Sequence, residues 1–180
     1  MLDFCMVVGK KKKEKIMENI KKAGNEEYET SWGDDGVPVS KKKSKVKQGK
    51  HSRAAGGRFE LKVRKDLEAK GRIVDKWTNN VDLEEGKVIM AKRKYNPFKK
   101  MLVVGTGFPD FISLKHIQKD SYSVIGVEVK MNGILSKIEK EKCVWYLKNK
   151  IFSDIWIAKK GEKRGSIEYM DFRERFPKFF

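Results

Sequence analysis

The chain is poor in cysteine and histidine, and it has no apolar run long enough to cross a bilayer. Its two cysteines, Cys5 and Cys143, lie far apart and supply neither a disulfide framework nor a zinc set. Cys143 falls in a helical pattern and reads as a small buried hydrophobe. His51 and His116 are the only histidines, so nothing clusters in the manner of a zinc finger or a zinc hydrolase. The apolar opening, Met1 to Val8, is short, and lysines follow it where a secretory signal has them first. A soluble, cytoplasmic protein without a membrane partner is expected. Acidic residues are also scarce relative to basic ones: 25 Asp and Glu against 42 Lys and Arg, a formal charge of +17. That excess favours a polyanion, nucleic acid first and an anionic membrane surface second. The alternative is a lysine-rich surface with no specific partner.

A length of 180 residues fits one domain with an appendage. Residues 1–52 read as a basic, mobile arm, with lysine runs at Lys10 to Lys13 and Lys41 to Lys43 and glycines at 24, 33 and 36. Ile16 and Ile20 support a short helix from Glu14 to Lys22. Residues 53–180 read as the compact domain. Phe59, Val63 and Leu67 recur at fours, the stripe of a helix starting near Gly56 and stopping at Gly71. Strands follow over Arg72 to Trp77, Asp110 to Leu114 and Val124 to Lys130, with His116 to Ser123 as a polar turn. Asn79 to Gly107 is an insertion with apolar runs at Val88 to Met90 and Met101 to Val104. A helix over Leu135 to Asn149 and strands at Ile155 to Ala158 and Ser166 to Met170 complete the order α-β-β-β-α-β-β. The fold class is α/β, a central mixed sheet flanked by helices.

The chemistry gathers at Pro109-Asp110 and Glu128-Val129-Lys130. Residues two apart in a strand share a face, so Glu128 and Lys130 point one way while Val127 and Val129 face a core. If the strands around residues 112 and 126 form a hairpin, setting Asp110 across from Glu128 centres it on Lys119, where Gln118-Lys119-Asp120-Ser121 predicts a turn. Opposed side chains have Cβ atoms about 4.5–5.5 Å apart. Two carboxylates that close repel unless a cation bridges them or one holds a proton. Mg²⁺, with Mn²⁺ as a substitute, suits one or two carboxylates, waters and a substrate phosphate. Glu60 borders the apolar stripe of the first helix and is either a third carboxylate or an ordinary surface glutamate. Without its partners, Glu-x-Lys is a cross-strand ion pair of little energy. Arg58, Lys92, Arg93, Lys94, Lys99, Lys100 and Lys137 are candidate nucleic-acid contacts. Tyr95 and Phe98 stand among them as rings for base stacking or as packing for the insertion.

Pro109-Asp110, a hydrophobic strand and Glu128-x-Lys130 resemble the PD-(D/E)xK nuclease superfamily. Gly57-Arg58-Phe59-Glu60 resembles the glutamate-bearing first helix of archaeal Holliday-junction resolvases. Gly107-Phe108-Pro109-Asp110 and Gly126-Val127-Glu128-Val129-Lys130 resemble viral-replication-type (VRR) nuclease domains of the same superfamily. The likeness covers roughly residues 56 to 170, and order and spacing carry it. It implies a restriction-endonuclease-like fold and Mg²⁺-dependent hydrolysis of DNA phosphodiesters. Asp110, Glu128 and Glu60 would be metal ligands, Lys130 would steady the attacking water and the phosphate, and a homodimer would present two centres to branched DNA. Resolvase-like work in recombination and repair is one expectation. A viral or mobile-element nuclease acting on flaps, nicks or foreign DNA is the second, and a non-catalytic nucleic-acid-binding protein the third. The insertion at 79–107 and the arm are departures from a compact resolvase. So is the run Glu139-Lys140-Glu141-Lys142, where some relatives carry a glutamine.

Overall fold

The computed structural model describes residues 2–23, 25, 27–32, 37–91, 93–96, 101–104 and 107–180, with side chains described at all of these but 2–11, 23, 93–96 and 101–104. The chain divides into two compact units, Met1–Gly57 and Arg58–Phe180. The first holds helix α1 (Leu2–Ala23) and a hairpin of β1 (Tyr28–Trp32) and β2 (Pro38–Lys42), with Thr30 opposite Ser40. Asn19 fastens helix to hairpin: its side-chain amide donates to Pro38 O at 2.9 Å, and its carbonyl accepts from Ser40 Oγ at 2.9 Å. Helix α2 (Lys43–Ala69) starts well before the expected point near Gly56. Gly56 and Gly57 each cost about 1 kcal/mol in a helix interior, which the good helix formers around them outweigh.

From Arg58 onward the core elements are the end of α2, β3 (Ile73–Lys76), β4 (Asn79–Asp82), β5 (Lys87–Met90), β6 (Arg93–Asn96), β7 (Met101–Val104), β8 (Phe111–Gln118), β9 (Ser121–Val129), α3 (Lys137–Lys148), β10 (Asp154–Lys160), β11 (Ile167–Asp171) and α4 (Phe172–Arg175). Five of these strands form one mixed sheet in the order β11-β10-β9-β8-β3, parallel between β9 and β10 and antiparallel elsewhere. The insertion is two separate hairpins, β4 with β5 and β6 with β7. Among the described residues, no helix is long and apolar enough to cross a membrane.

Alternation in β9 and β10 splits the core in two. Ile125, Val127 and Ala158 pack with Phe59, Val63 and Leu67 of α2 on one face. Ile155 and Ile157 pack with Cys143, Tyr146 and Leu147 of α3, and with Phe152 and Phe172, on the other. Each fully buried Val, Leu, Ile or Phe side chain contributes about 1.5–3 kcal/mol. The polar stretch His116 to Ser123 is not a long turn. β8 and β9 stay paired to Gln118 opposite Ser121, and only Lys119 (φ 45) and Asp120 turn the chain. Backbone pairing, indifferent to side-chain polarity, continues past the point where burial stops. Helix α3 starts two residues later than its apolar pattern implies, because Ser136 is its N-cap.

Candidate active site

The β8–β9 register decides the geometry. Phe111 lies opposite Val127 and Ile112 opposite Gly126, so Asp110, one residue before β8, falls across from Glu128. Two reciprocal hydrogen bonds fix the pair. The Asp110 amide donates to Glu128 Oε2 at 3.2 Å, and the Val129 amide donates to Asp110 Oδ2 at 2.9 Å. The approach to Asp110 is laid against the exit of β3. Phe108 N donates to Asn79 O at 2.9 Å, and Trp77 N to Asp110 O at 3.2 Å. Two glycines permit this path. A Cβ at Gly107 would sit 2.2 Å from the Trp77 carbonyl oxygen, and one at Gly126 would sit 2.8 Å from Pro109 Cγ and 3.2 Å from Phe152. The Phe108–Pro109 peptide is cis.

Lys130 follows β9, with its amide donating to Ala158 O at 2.9 Å. Its ammonium lies 3.0 Å from Glu128 Oε1 and 2.7 Å from Glu139 Oε1. Glu139 is itself held at the start of α3 by a capping box. Its Oε2 accepts from Ser136 N at 2.7 Å, and its amide donates to Ser136 Oγ at 3.3 Å. Sequence reasoning left Glu139 out of the site. The signal that finds it is Ser136-x-x-Glu139, the capping-box pattern, read together with the short reach back to Lys130.

Glu60 stands apart from this group. It is paired with Lys76 at 3.2 Å, and Lys76 lies in β3 opposite Phe111, at the rim of the sheet. Its charge still reaches Asp110. Among the described residues, no three His, Cys, Asp or Glu side chains are gathered closely enough to hold a metal ion. The close carboxylate pair is therefore Asp110 with Glu128, and the triad expected with Glu60 is not assembled.

Charge explains what this pair does. Glu128 is 4% exposed. Burial, then the neighbouring Asp110 charge, pushes its carboxyl up to about 8, against the pull of Lys130. Burial also raises the Asp110 carboxyl, with Glu60 adding and the Val129 amide, Lys130 and Lys76 opposing. Glu139 is held below its ordinary range, because Lys130 and Ser136 outweigh its burial. Lys130 is held above its own, since its two carboxylate partners outweigh its burial. The short Glu128–Lys130 contact and the raised Glu128 carboxyl pull in opposite directions. Glu139, closer and held below its ordinary range, is the main counter-ion of Lys130, which leaves the Glu128 carboxyl raised by its burial beside Asp110. Burial, with the Glu128 and Glu139 charges behind it, keeps the Cys143 thiol neutral.

Three carboxylates (Asp110, Glu128, Glu139) face one ammonium, a surplus of two negative charges when all are ionised. A hard divalent cation would cancel that surplus, and Mg²⁺ accepts one or two carboxylates with water completing its shell. On charge grounds the Asp110–Glu128 pair suits such an ion, with water and substrate left to supply the ligands that the described residues do not.

Of the expected nucleic-acid contacts, Arg58 on α2 and Lys137 at the start of α3 are exposed. Lys92, Lys99 and Lys100, with Phe98, lie outside the described residues, as do the side chains of Arg93, Lys94 and Tyr95. No family model, curated protein or solved structure matches the chain.

Proposed function

We propose that the chain is a Mg²⁺-dependent DNA endonuclease of the PD-(D/E)xK kind, with a restriction-endonuclease-like domain, acting on branched DNA. One observation carries this: Asp110 and Glu128 are locked side by side at the base of the β8–β9 hairpin with Lys130 against them. A buried, mutually repelling carboxylate pair costs stability, and such strained titratable groups concentrate at functional sites. The formal charge of +17 supplies the attraction for a phosphate backbone.

Asp110 and Glu128 would hold the cation, with Glu60 within electrostatic reach at the rim. Bound there, it supplies positive charge against the scissile phosphate and lowers the pKa of a water. The chain's own residues do the rest. An ammonium has three donors, and Lys130 commits two, to Glu139 and Glu128. The third is left for a phosphate oxygen or the attacking water, where it stabilises developing negative charge. Glu139 anchors Lys130 from the helix side, so the ammonium is held in place before substrate arrives. Val127 and Phe111, fully packed beneath, keep the hairpin rigid.

A panel of linear duplex, single strand, flap and four-way junction, incubated with Mg²⁺, tests this. Paired symmetric nicks in the junction support the resolvase-like form. Cutting of flaps or of every substrate supports the viral or mobile-element form instead. Tight binding with no product defeats both and leaves a nucleic-acid-binding protein.

A further inference from the structure

Helix α3 ends in an unusual way. Lys150 N–H donates to Leu147 O at 3.2 Å and Ile151 N–H donates to Tyr146 O at 3.0 Å, the paired bonds of a Schellman motif. The residue after the cap must then be left-handed, a place glycine fills without strain. Here it is Lys150, at φ 55. A strained side chain persists where the surrounding structure or a function holds it.

The Lys150 side chain lines a cleft of about 300 Å³ between β9, the end of α3 and α4. Val124, Leu147 and Phe152 contribute apolar wall. Tyr122 stands at one side, 56% exposed, its ring set edge-on by His116 with centroids 5.2 Å apart. Arg173 adds a second cation, its guanidinium 5.3 Å from the Phe180 ring. Among the described residues lining the cleft, none carries a carboxylate. The volume is at the lower end of the range for small-molecule sites, about 300–1,000 Å³.

We propose that this cleft binds a nucleoside phosphate, with the base against Tyr122 and the apolar wall and the phosphate between Lys150 and Arg173. An aromatic face takes any base, and two cations without a competing carboxylate take its phosphate. The ligand is either a free mononucleotide or an unpaired nucleotide within a strand. The cleft is distinct from the carboxylate pair. Tyr122, Val124, Gly126 and Glu128 share one sheet face, and Val124 lies four residues from Glu128, about 13 Å along the strand.

Binding is measured by calorimetry in EDTA, where nothing is cut, with AMP, adenosine, inorganic phosphate and a short single-stranded oligonucleotide as probes. AMP or the oligonucleotide binds, and adenosine and inorganic phosphate bind about tenfold more weakly or worse. AMP binding as tightly as the oligonucleotide identifies a free nucleotide, and oligonucleotide binding that Tyr122→Ala weakens, with none of AMP, identifies a strand. Tyr122→Ala and Lys150→Gly each weaken binding by about fivefold or more. Lys150→Gly at the same time raises the thermal unfolding midpoint, because glycine relieves the left-handed strain. AMP binding survives Lys130→Ala, so the cleft and the nuclease site fail separately. The proposal is overturned if AMP does not bind and Tyr122→Ala leaves oligonucleotide binding unchanged, or if inorganic phosphate binds as well as AMP. It is also overturned if Lys150→Gly binds normally or lowers the midpoint along with affinity.

Discussion

Replacing Glu128 by glutamine should make the metal-free protein more stable at alkaline pH, although it alters the centre of the site. The Glu128 carboxyl is raised from 4.5 to about 8 in the folded chain. A carboxyl raised on folding binds its proton more tightly in the folded state. Its contribution to stability is complete below about pH 4.5 and is lost as pH climbs through about 8. A gap of about 3.5 in pKa at about 1.36 kcal/mol per unit sets a ceiling near 5 kcal/mol. Asp110 is only half-buried, which weakens the repulsion, so a loss of about 2–4 kcal/mol is expected between about pH 5 and pH 8.5. Glutamine keeps an acceptor for the Asp110 amide and cannot ionise. The assay is urea unfolding in EDTA, followed by tryptophan fluorescence at both pH values, on wild type and Glu128→Gln. Wild type loses stability across the window, and the variant loses less by that amount. Millimolar Mg²⁺ restores wild type at the higher pH and leaves the variant unmoved. Parallel pH profiles for the two proteins would refute the buried-pair account.

Gly126→Ala drives a methyl to 2.8 Å from Pro109 Cγ, and a cost of about 1–3 kcal/mol in urea unfolding is expected, with cleavage falling further as Asp110 is displaced. Glu139→Gln preserves the capping box, since glutamine serves at that position, so thermal stability stays close to wild type. Its effect falls on Lys130, whose ammonium loses its main counter-ion. Cleavage drops about tenfold or more, and the alkaline limb of the pH–rate profile moves to lower pH. Affinity for duplex DNA in EDTA falls steeply with salt, about 10³-fold between about 50 and 200 mM if six phosphates are neutralised, and fluorescence anisotropy reads this slope directly.

The site was legible in the sequence where local rules suffice. Alternation put Glu128 and Lys130 on the face opposite Val127, and the turn residues around Lys119 set the register that brings Asp110 to Glu128. The first helix was legible through Phe59, Val63 and Leu67, though not its start, because Gly56-Gly57 reads locally as a break. What escaped depends on contacts between distant elements. Lys76 reaches Glu60 only after β3 pairs with β8, and Glu139 reaches Lys130 only after α3 packs over the end of β9. The glycines at 107 and 126 carry no visible reason in the sequence. Their reason is the Trp77 carbonyl and the Pro109 ring, which fold in from 30 and 17 residues away.

Side-by-side incubation of wild type, Lys130→Ala and Asp110→Ala with the DNA panel tests the central claim most directly, in Mg²⁺ and in EDTA. Wild type should cut in Mg²⁺ alone, while both variants bind within about threefold of wild type and cut nothing. Wild-type cleavage by either variant, or undiminished cutting in EDTA, would contradict a metal-dependent site built on Asp110, Glu128 and Lys130.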